Sequence, residues 1–218
     1  MKKILLILVA TLCAACATRQ GGELRTGDLI FVALREGAPA DESSMDGAIS
    51  ASTGGGAQDI VHVGLVEVAG DTVWVIDATS RRGGVSRRPL DSFVSDFSSE
   101  DGAPQVFIVK RLEDNGLAGE WLARAKSFCG QPYDFRFLPD NGAMYCSELV
   151  RESCLDADGN YIFDDKPMNF KNAEGEYPEY WLELFSSLGM DVPQDVPGTN
   201  PQDMSESPLL RTVRTGLY

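Results

Sequence analysis

The sequence predicts an α+β domain with an antiparallel sheet, on three observations. Short apolar runs of strand character crowd the first half of the chain. Helical spacing dominates the second half. Gly70-Asp71 reads as a hairpin turn between two of the runs, a connection open only to antiparallel neighbours.

Taken in order, Gly27-Asp28 reads as a turn feeding a buried strand, Leu29-Ile30-Phe31-Val32. Residues 35–58, rich in Gly, Ala, Ser and Asp, read as an irregular excursion with weak helical spacing. Strands are expected over 60–67 and 73–78, and a short one over 85–88. Pro89-Leu90-Asp91-Ser92-Phe93 suggests a brief helical turn, and residues 106–111 a further strand. Over 119–128 the spacing puts Trp121, Leu122, Ala125 and Phe128 on one helix face. Another helix opens at Cys146 and runs through Leu149, Val150 and Ser153. Asp156-Ala157-Asp158-Gly159 lacks the spaced oxygen ligands and closing Glu of a Ca²⁺ loop and reads as a turn. Residues 177–189 form an amphipathic helix with Trp181, Leu184 and Phe185, ending at Gly189. Residues 192–210 are a Pro-, Gly-, Ser- and Asn-rich tail, after which 209–213 returns as a strand.

Composition is that of an ordinary globular protein, 43% hydrophobic and 24% charged, with a formal net charge of −14. That acidity argues against nucleic acid and against electrostatic attachment to anionic lipid. Met1-Lys2-Lys3 followed by the apolar run 4–15 has the layout of a secretory signal peptide, too short to span a bilayer. No later segment is apolar enough for a transmembrane helix. Cys16, after Ala14-Ala15, is a candidate lipidation site of a bacterial lipoprotein; the alternative is ordinary cleavage after Ala15 or Ala17. The expected organisation is a leader over 1–16, a tether over 17–23 and one domain over 24–218, exported to the cell envelope. Of five cysteines, Cys13 and Cys16 belong to the leader, which leaves Cys129, Cys146 and Cys154, an odd number. An exported chain with an odd count keeps a free thiol, unless it pairs with another molecule. Cys129 and Cys154 are either a disulfide or two small buried residues.

His62 is the chain's one histidine, and it lies inside an apolar strand. Strict alternation places Ile60, His62 and Gly64 on one face and Val61, Val63 and Leu65 on the other, with Gly64 leaving room beside the imidazole. Asp77 lies in the neighbouring strand of the presumed hairpin, where an apolar setting demands a partner for a carboxylate. Its bland alternative is a strand-end Asp facing water. A carboxylate on one ring nitrogen would fix the tautomer of His62. Cys146 falls at a helix start, where the dipole and a nearby imidazolium lower a thiol pKa and backbone N–H groups await an oxyanion. Its bland alternative is a buried structural thiol. Together the three supply a nucleophile, a base and an orienting acid, the parts a thiol hydrolase needs.

Several segments carry a resemblance: Gly27-Asp28-Leu29-Ile30, His62-Val63-Gly64-Leu65, Val75-Ile76-Asp77-Ala78, Tyr145-Cys146-Ser147-Glu148-Leu149-Val150, Pro197-Gly198-Thr199-Asn200-Pro201 and Ser207-Pro208. They resemble the YiiX-like, circularly permuted branch of the NlpC-type papain-fold superfamily, in which the His precedes the Cys. The resemblance implies a permuted papain-like fold with Cys146 as nucleophile, His62 as general base and Asp77 as the third polar residue, where relatives often carry Glu. It makes Tyr145 and Tyr133 candidates to line the pocket or assist the oxyanion, with core aromatics as the alternative. It implies no metal and no organic cofactor. The substrate is expected to be a cell-wall peptide amide, with a lipid amide or ester, or acyl transfer, as the alternative. A non-catalytic envelope lipid- or peptide-binding protein of the same fold is a third reading, against which the full Cys/His/Asp set argues.

Overall fold

The computed structural model describes residues 22–35, 41–54, 56–98 and 105–217. The leader with Cys13 and Cys16, and all but the last residues of the tether, lie outside the described residues. Six strands form one antiparallel sheet in the order β4-β3-β2-β1-β5-β8. These are β1 (Leu29–Ala33), β2 (Ile60–Ala69), β3 (Thr72–Thr79), β4 (Gly84–Pro89), β5 (Val106–Leu112) and β8 (Leu210–Thr215). Gly70-Asp71 closes the β2–β3 hairpin as the sequence suggests, with Ala69 opposite Thr72. A two-strand ribbon of β6 (Lys166–Pro167) and β7 (Pro197–Gly198) stands apart from the sheet. The helices are α1 (Met45–Thr53), α2 (Leu90–Asp96), α3 (Ala118–Ser127), α4 (Cys146–Ser153), α5 (Glu179–Ser187) and α6 (Pro201–Ser205).

The pleat gives the sheet two apolar faces. Leu29, Phe31, Val63, Leu65 and Ile76 pack with Trp121 of α3, Leu149 and Val150 of α4, and Trp181 and Phe185 of α5. Ile30, Val32, Val66, Val75 and Val109 pack with Phe93 and Phe97 of α2 and the residue following it. Strands covered on both faces lose their alternation, which is why β1 reads as a continuous apolar run.

Four expectations change. The 35–58 excursion contains α1, whose start is capped by Ser44 Oγ accepting from the Gly47 N–H at 3.1 Å. The tail contains β7 and α6, the latter capped by Asn200 Oδ1 on the Asp203 N–H with Pro201 in the first turn. Strict alternation in β2 fails at one place. Val32 pairs with His62 but Ala33 pairs with Ile60, so Val61 is an extra residue in the ladder. The bulge turns Ile60 to the face of Val63 and Leu65, while His62 keeps the company of Phe93 and Phe97. Finally, Cys129, Cys146 and Cys154 are all free thiols, and Cys129 is exposed, so neither the disulfide nor the two-buried-cysteine alternative holds.

Candidate active site

The site lies where β2 begins and β3 ends, at the opposite end of the hairpin from Gly70-Asp71. Gly64 lies close to β3, where a Cβ on it would meet Val75 Cγ1 at 2.6 Å and Asp77 Cβ at 3.2 Å. The space left by the missing side chain is therefore taken by the neighbouring strand, which brings the carboxylate to the imidazole. His62 Nε2 lies 2.8 Å from Asp77 Oδ2, with Asp77 wholly buried and His62 nearly so. A carboxylate only accepts, so Nε2 carries the proton and Nδ1 is the nitrogen left for other partners. The ring of Phe97 packs against the imidazole with centroids 4.5 Å apart.

Cys146 belongs to the core on the other face of the sheet, yet it opens with His62 into a cavity of about 280 Å³ at the strand ends. Ser80, Arg81, Asp46 and Tyr133 share its lining. The sulfur beside the ring favours its protonated form. Burial alone would lower the His62 pKa; Cys146 and Asp77 outweigh it and raise the value to about 9. An imidazole at that value is cationic at neutral pH, ready to give a proton to a departing amine.

The start of α4 is held from two sides. The Tyr145 N–H donates to Glu148 Oε2 at 3.3 Å, which ties the residue before the helix to its first turn. The Thr199 N–H donates to the Tyr145 hydroxyl at 3.1 Å, and Ser147 Oγ donates to the Thr199 carbonyl at 3.1 Å. The Pro197–Pro201 stretch thus buttresses the turn that presents Cys146. The first N–H groups of any helix lack carbonyl partners in their own helix, and Cys146 is the first residue of α4.

The two tyrosines part company. Tyr133 lines the cavity shared by His62 and Cys146, whereas Tyr145 is absent from that lining and spends its hydroxyl on Thr199. Burial raises both phenol pKa values, so each is a neutral O–H at physiological pH. Tyr145 and Cys146 do border a second, tight apolar space of about 40 Å³ with Ile49, Phe137, Met168 and Trp181. Burial alone raises Cys154 to about 12, and burial also raises Cys129 against the nearby Arg87 and Lys126.

One neighbour escaped sequence reading. Arg88, at the end of β4 and 5% exposed, donates from Nη2 to Asp77 Oδ2 at 2.6 Å and from Nη1 to Asp96 Oδ2. Its only linear signal was a basic residue in a half-apolar strand, which strand edges carry routinely.

Comparison with known proteins gives one consistent picture. The family model of permuted papain-like amidase enzymes of the YaeF/YiiX type, the C92 family, matches residues 23–214. The uncharacterized protein YiiX of Escherichia coli (strain K12) is 28% identical over 193 residues, 87% of this chain and 85% of the relative. A crystal structure of metalloprotein yiiX from Escherichia coli O157:H7 is similar with a TM-score of 0.67 at 25% identity, covering 88% of this chain and 97% of that one. In the present chain, among the described residues, no group of three or more His, Cys, Asp or Glu is placed to hold a metal ion.

Proposed function

The chain belongs to the permuted papain-like amidase family and is a cysteine peptidase/amidase-type hydrolase, and from that premise we propose that it cleaves amide bonds through Cys146, His62 and Asp77 after export to the cell envelope. The observation that carries the assignment is the convergence, at one end of the β2–β3 hairpin, of a helix-start thiol, an imidazole and a buried carboxylate bonded to it.

The Cys146 thiolate attacks the carbonyl carbon, and the oxygen gathers charge toward the Cys146 N–H at the start of α4. The tetrahedral adduct collapses as His62 gives its proton to the leaving amine, which departs and leaves an acyl thioester. Neutral His62 then takes a proton from water, the hydroxide adds to the thioester, and the acid leaves as the Cys146 thiolate is restored beside protonated His62. Asp77 keeps the imidazole in the tautomer that offers Nδ1 to the thiol. Tyr133, which lines the cavity, is the tyrosine proposed to touch substrate, and Tyr145 holds the helix start.

A cell-wall peptide is the substrate class that suits an exported amidase, and Cys16 is the proposed lipid attachment point. The apolar space beside Cys146 favours a second reading, a lipid amide or ester. The test is turnover of cell-wall stem peptides and of N-acyl lipids by the wild type and by Cys146→Ala. Loss of all turnover in the variant is expected, and full turnover by a folded variant refutes the proposal. Iodoacetamide with peptide mapping gives a substrate-free check: Cys146 labels ahead of exposed Cys129 near neutral pH, and His62→Ala slows it.

A further inference from the structure

Beyond the three residues proposed for catalysis, one buried cation touches the site. We propose that Arg88 is a positioning residue that shares Asp77 Oδ2 with His62, orienting the carboxylate and tempering the charge it presents to the imidazole.

Both donors fall on the same oxygen: His62 Nε2 at 2.8 Å and Arg88 Nη2 at 2.6 Å. Asp77 Oδ1 has no hydrogen-bond partner among the described residues, so the carboxylate is oriented through Oδ2 alone. Arg88 sits opposite Val75, two residues before Asp77 and on the same face of β3, so it reaches the carboxylate along the diagonal of the strand pair. Its guanidinium is fixed on the far side by Asp96, which also holds Arg82, and it lies over the Phe93 ring with its carbon 5.1 Å from the centroid. A chain of alternating charge therefore runs from His62 through Asp77, Arg88 and Asp96 to Arg82, anchored in β2, β3, β4, α2 and the turn after β3. Planar Arg in a buried pair is a fixed fork, where Lys would be a mobile point charge.

The electrostatic consequence has a sign. With Arg88 present, the charge of Asp77 is divided between two cations. Without it, the imidazolium is the sole counter-ion of a buried carboxylate and holds its proton to higher pH. The other charged or titratable groups around His62 are Cys146 from α4, Asp96 from α2, Arg81 and Arg82 from the turn after β3, Asp46 from α1, Tyr133 and Tyr180. Among the described residues, the hydrogen bonds at the imidazole and on Asp77 involve none of these groups, only His62, Asp77 and Arg88.

Because His62 is the only histidine, ¹⁵N-histidine NMR of the untagged protein reports its titration without ambiguity. Arg88→Met is expected to raise the His62 midpoint by about one unit, and Arg88→Lys to fall between it and the wild type. Asp96→Asn, which frees Arg88 for Asp77 and removes a nearby anion, is expected to lower the midpoint. The opposite signs are a pattern that lost packing would not produce. If Arg88→Met is folded and titrates with the wild type, the proposal is wrong. If it does not fold, an Asp96→Asn midpoint that stays put or rises is equally fatal. The inference rests on the proposed triad, and Cys146→Ala separates the two: it lowers the His62 midpoint if the thiol pairs with the imidazole. A midpoint unmoved by Cys146→Ala but moved by Arg88→Met would remove the triad and keep the clamp.

Discussion

Besides the two tyrosines, His62 and Glu148 near the start of α4 are held well above their ordinary pKa values. His62 rises from 6.5 to about 9, so the folded state binds its proton more tightly than the unfolded chain. The stability this contributes is complete below about 6.5 and is lost as pH rises through about 9. On the proposed mechanism turnover should follow the same upper edge, because the imidazolium proposed to protonate the leaving amine disappears there. Glu148 is raised to about 8, first by burial and then by Asp134 and Glu152, against the Tyr145 N–H and Arg151. The folded state again holds the extra proton, so stability falls between about 4.5 and about 8. Glu148→Gln keeps an acceptor for the Tyr145 N–H and removes the charge. Its urea midpoint is expected to exceed that of the wild type at pH 8 and to match it near pH 5. A variant whose midpoint falls with pH as steeply as the wild type would refute the assignment.

At the scale of elements, the β2–β3 hairpin and the first turn of α4 set the geometry. The bulge at Val61 lets Ile60 join one core while His62 faces the other, at the edge where α4 arrives. Gly64 decides how close the two strands of the site come. Gly64→Ala is expected to cost about 1–3 kcal/mol through overpacking against Val75 and Asp77. It should also slow Cys146 alkylation, because the displaced Asp77 releases His62. Thermal melting and the labelling rate read the two effects; a variant with unchanged melting and unchanged labelling counts against the close approach. The buttress at Thr199 matters in the same way, since α4 is only 8 residues long and its first turn depends on neighbours for its position.

At the scale of the molecule, the sheet is stitched far from the site by a second buried ion pair. Asp28 is fully buried, accepts from Arg111 Nη2 at 2.9 Å and from the Arg25 N–H at 2.8 Å, and so fixes the entry to β1 against β5. The neighbouring Gly27 adopts φ 88°, and a Cβ there would meet Ala118 Cβ at 2.5 Å. The Gly27-Asp28 pair is thus a structural joint. Asp28→Ala leaves a buried guanidinium unpaired and is expected to cost about 3–5 kcal/mol, roughly 2–4 °C in Tm for each kcal/mol. The His62 midpoint should not move. A shifted midpoint in a folded Asp28→Ala protein would mean that the two ion-pair networks are coupled.

The linear sequence by itself determined the α+β class, most strands and helices, and the three residues that meet at the site. Each is written locally: apolar runs between turn residues, a single histidine, a carboxylate in an apolar strand, a cysteine at a helix start. The tertiary structure alone decided the rest. The bulge that reorients Ile60 depends on which residues of β1 pair with β2, a register that no local period encodes. The helices α1 and α6 are short, and their caps and packing outweigh weak periodicity. Arg88 was not legible as a site residue, and Thr199 was legible only as part of the Pro197–Pro201 segment, because neither residue type marks locally that it will meet Asp77 or Tyr145. The His62–Asp77 bond was legible across 15 positions because a lone histidine and a carboxylate in adjacent apolar strands both demand a partner, whereas Arg88 and Thr199 carry no such local demand and meet their partners only when the sheet has formed and α4 has docked against it.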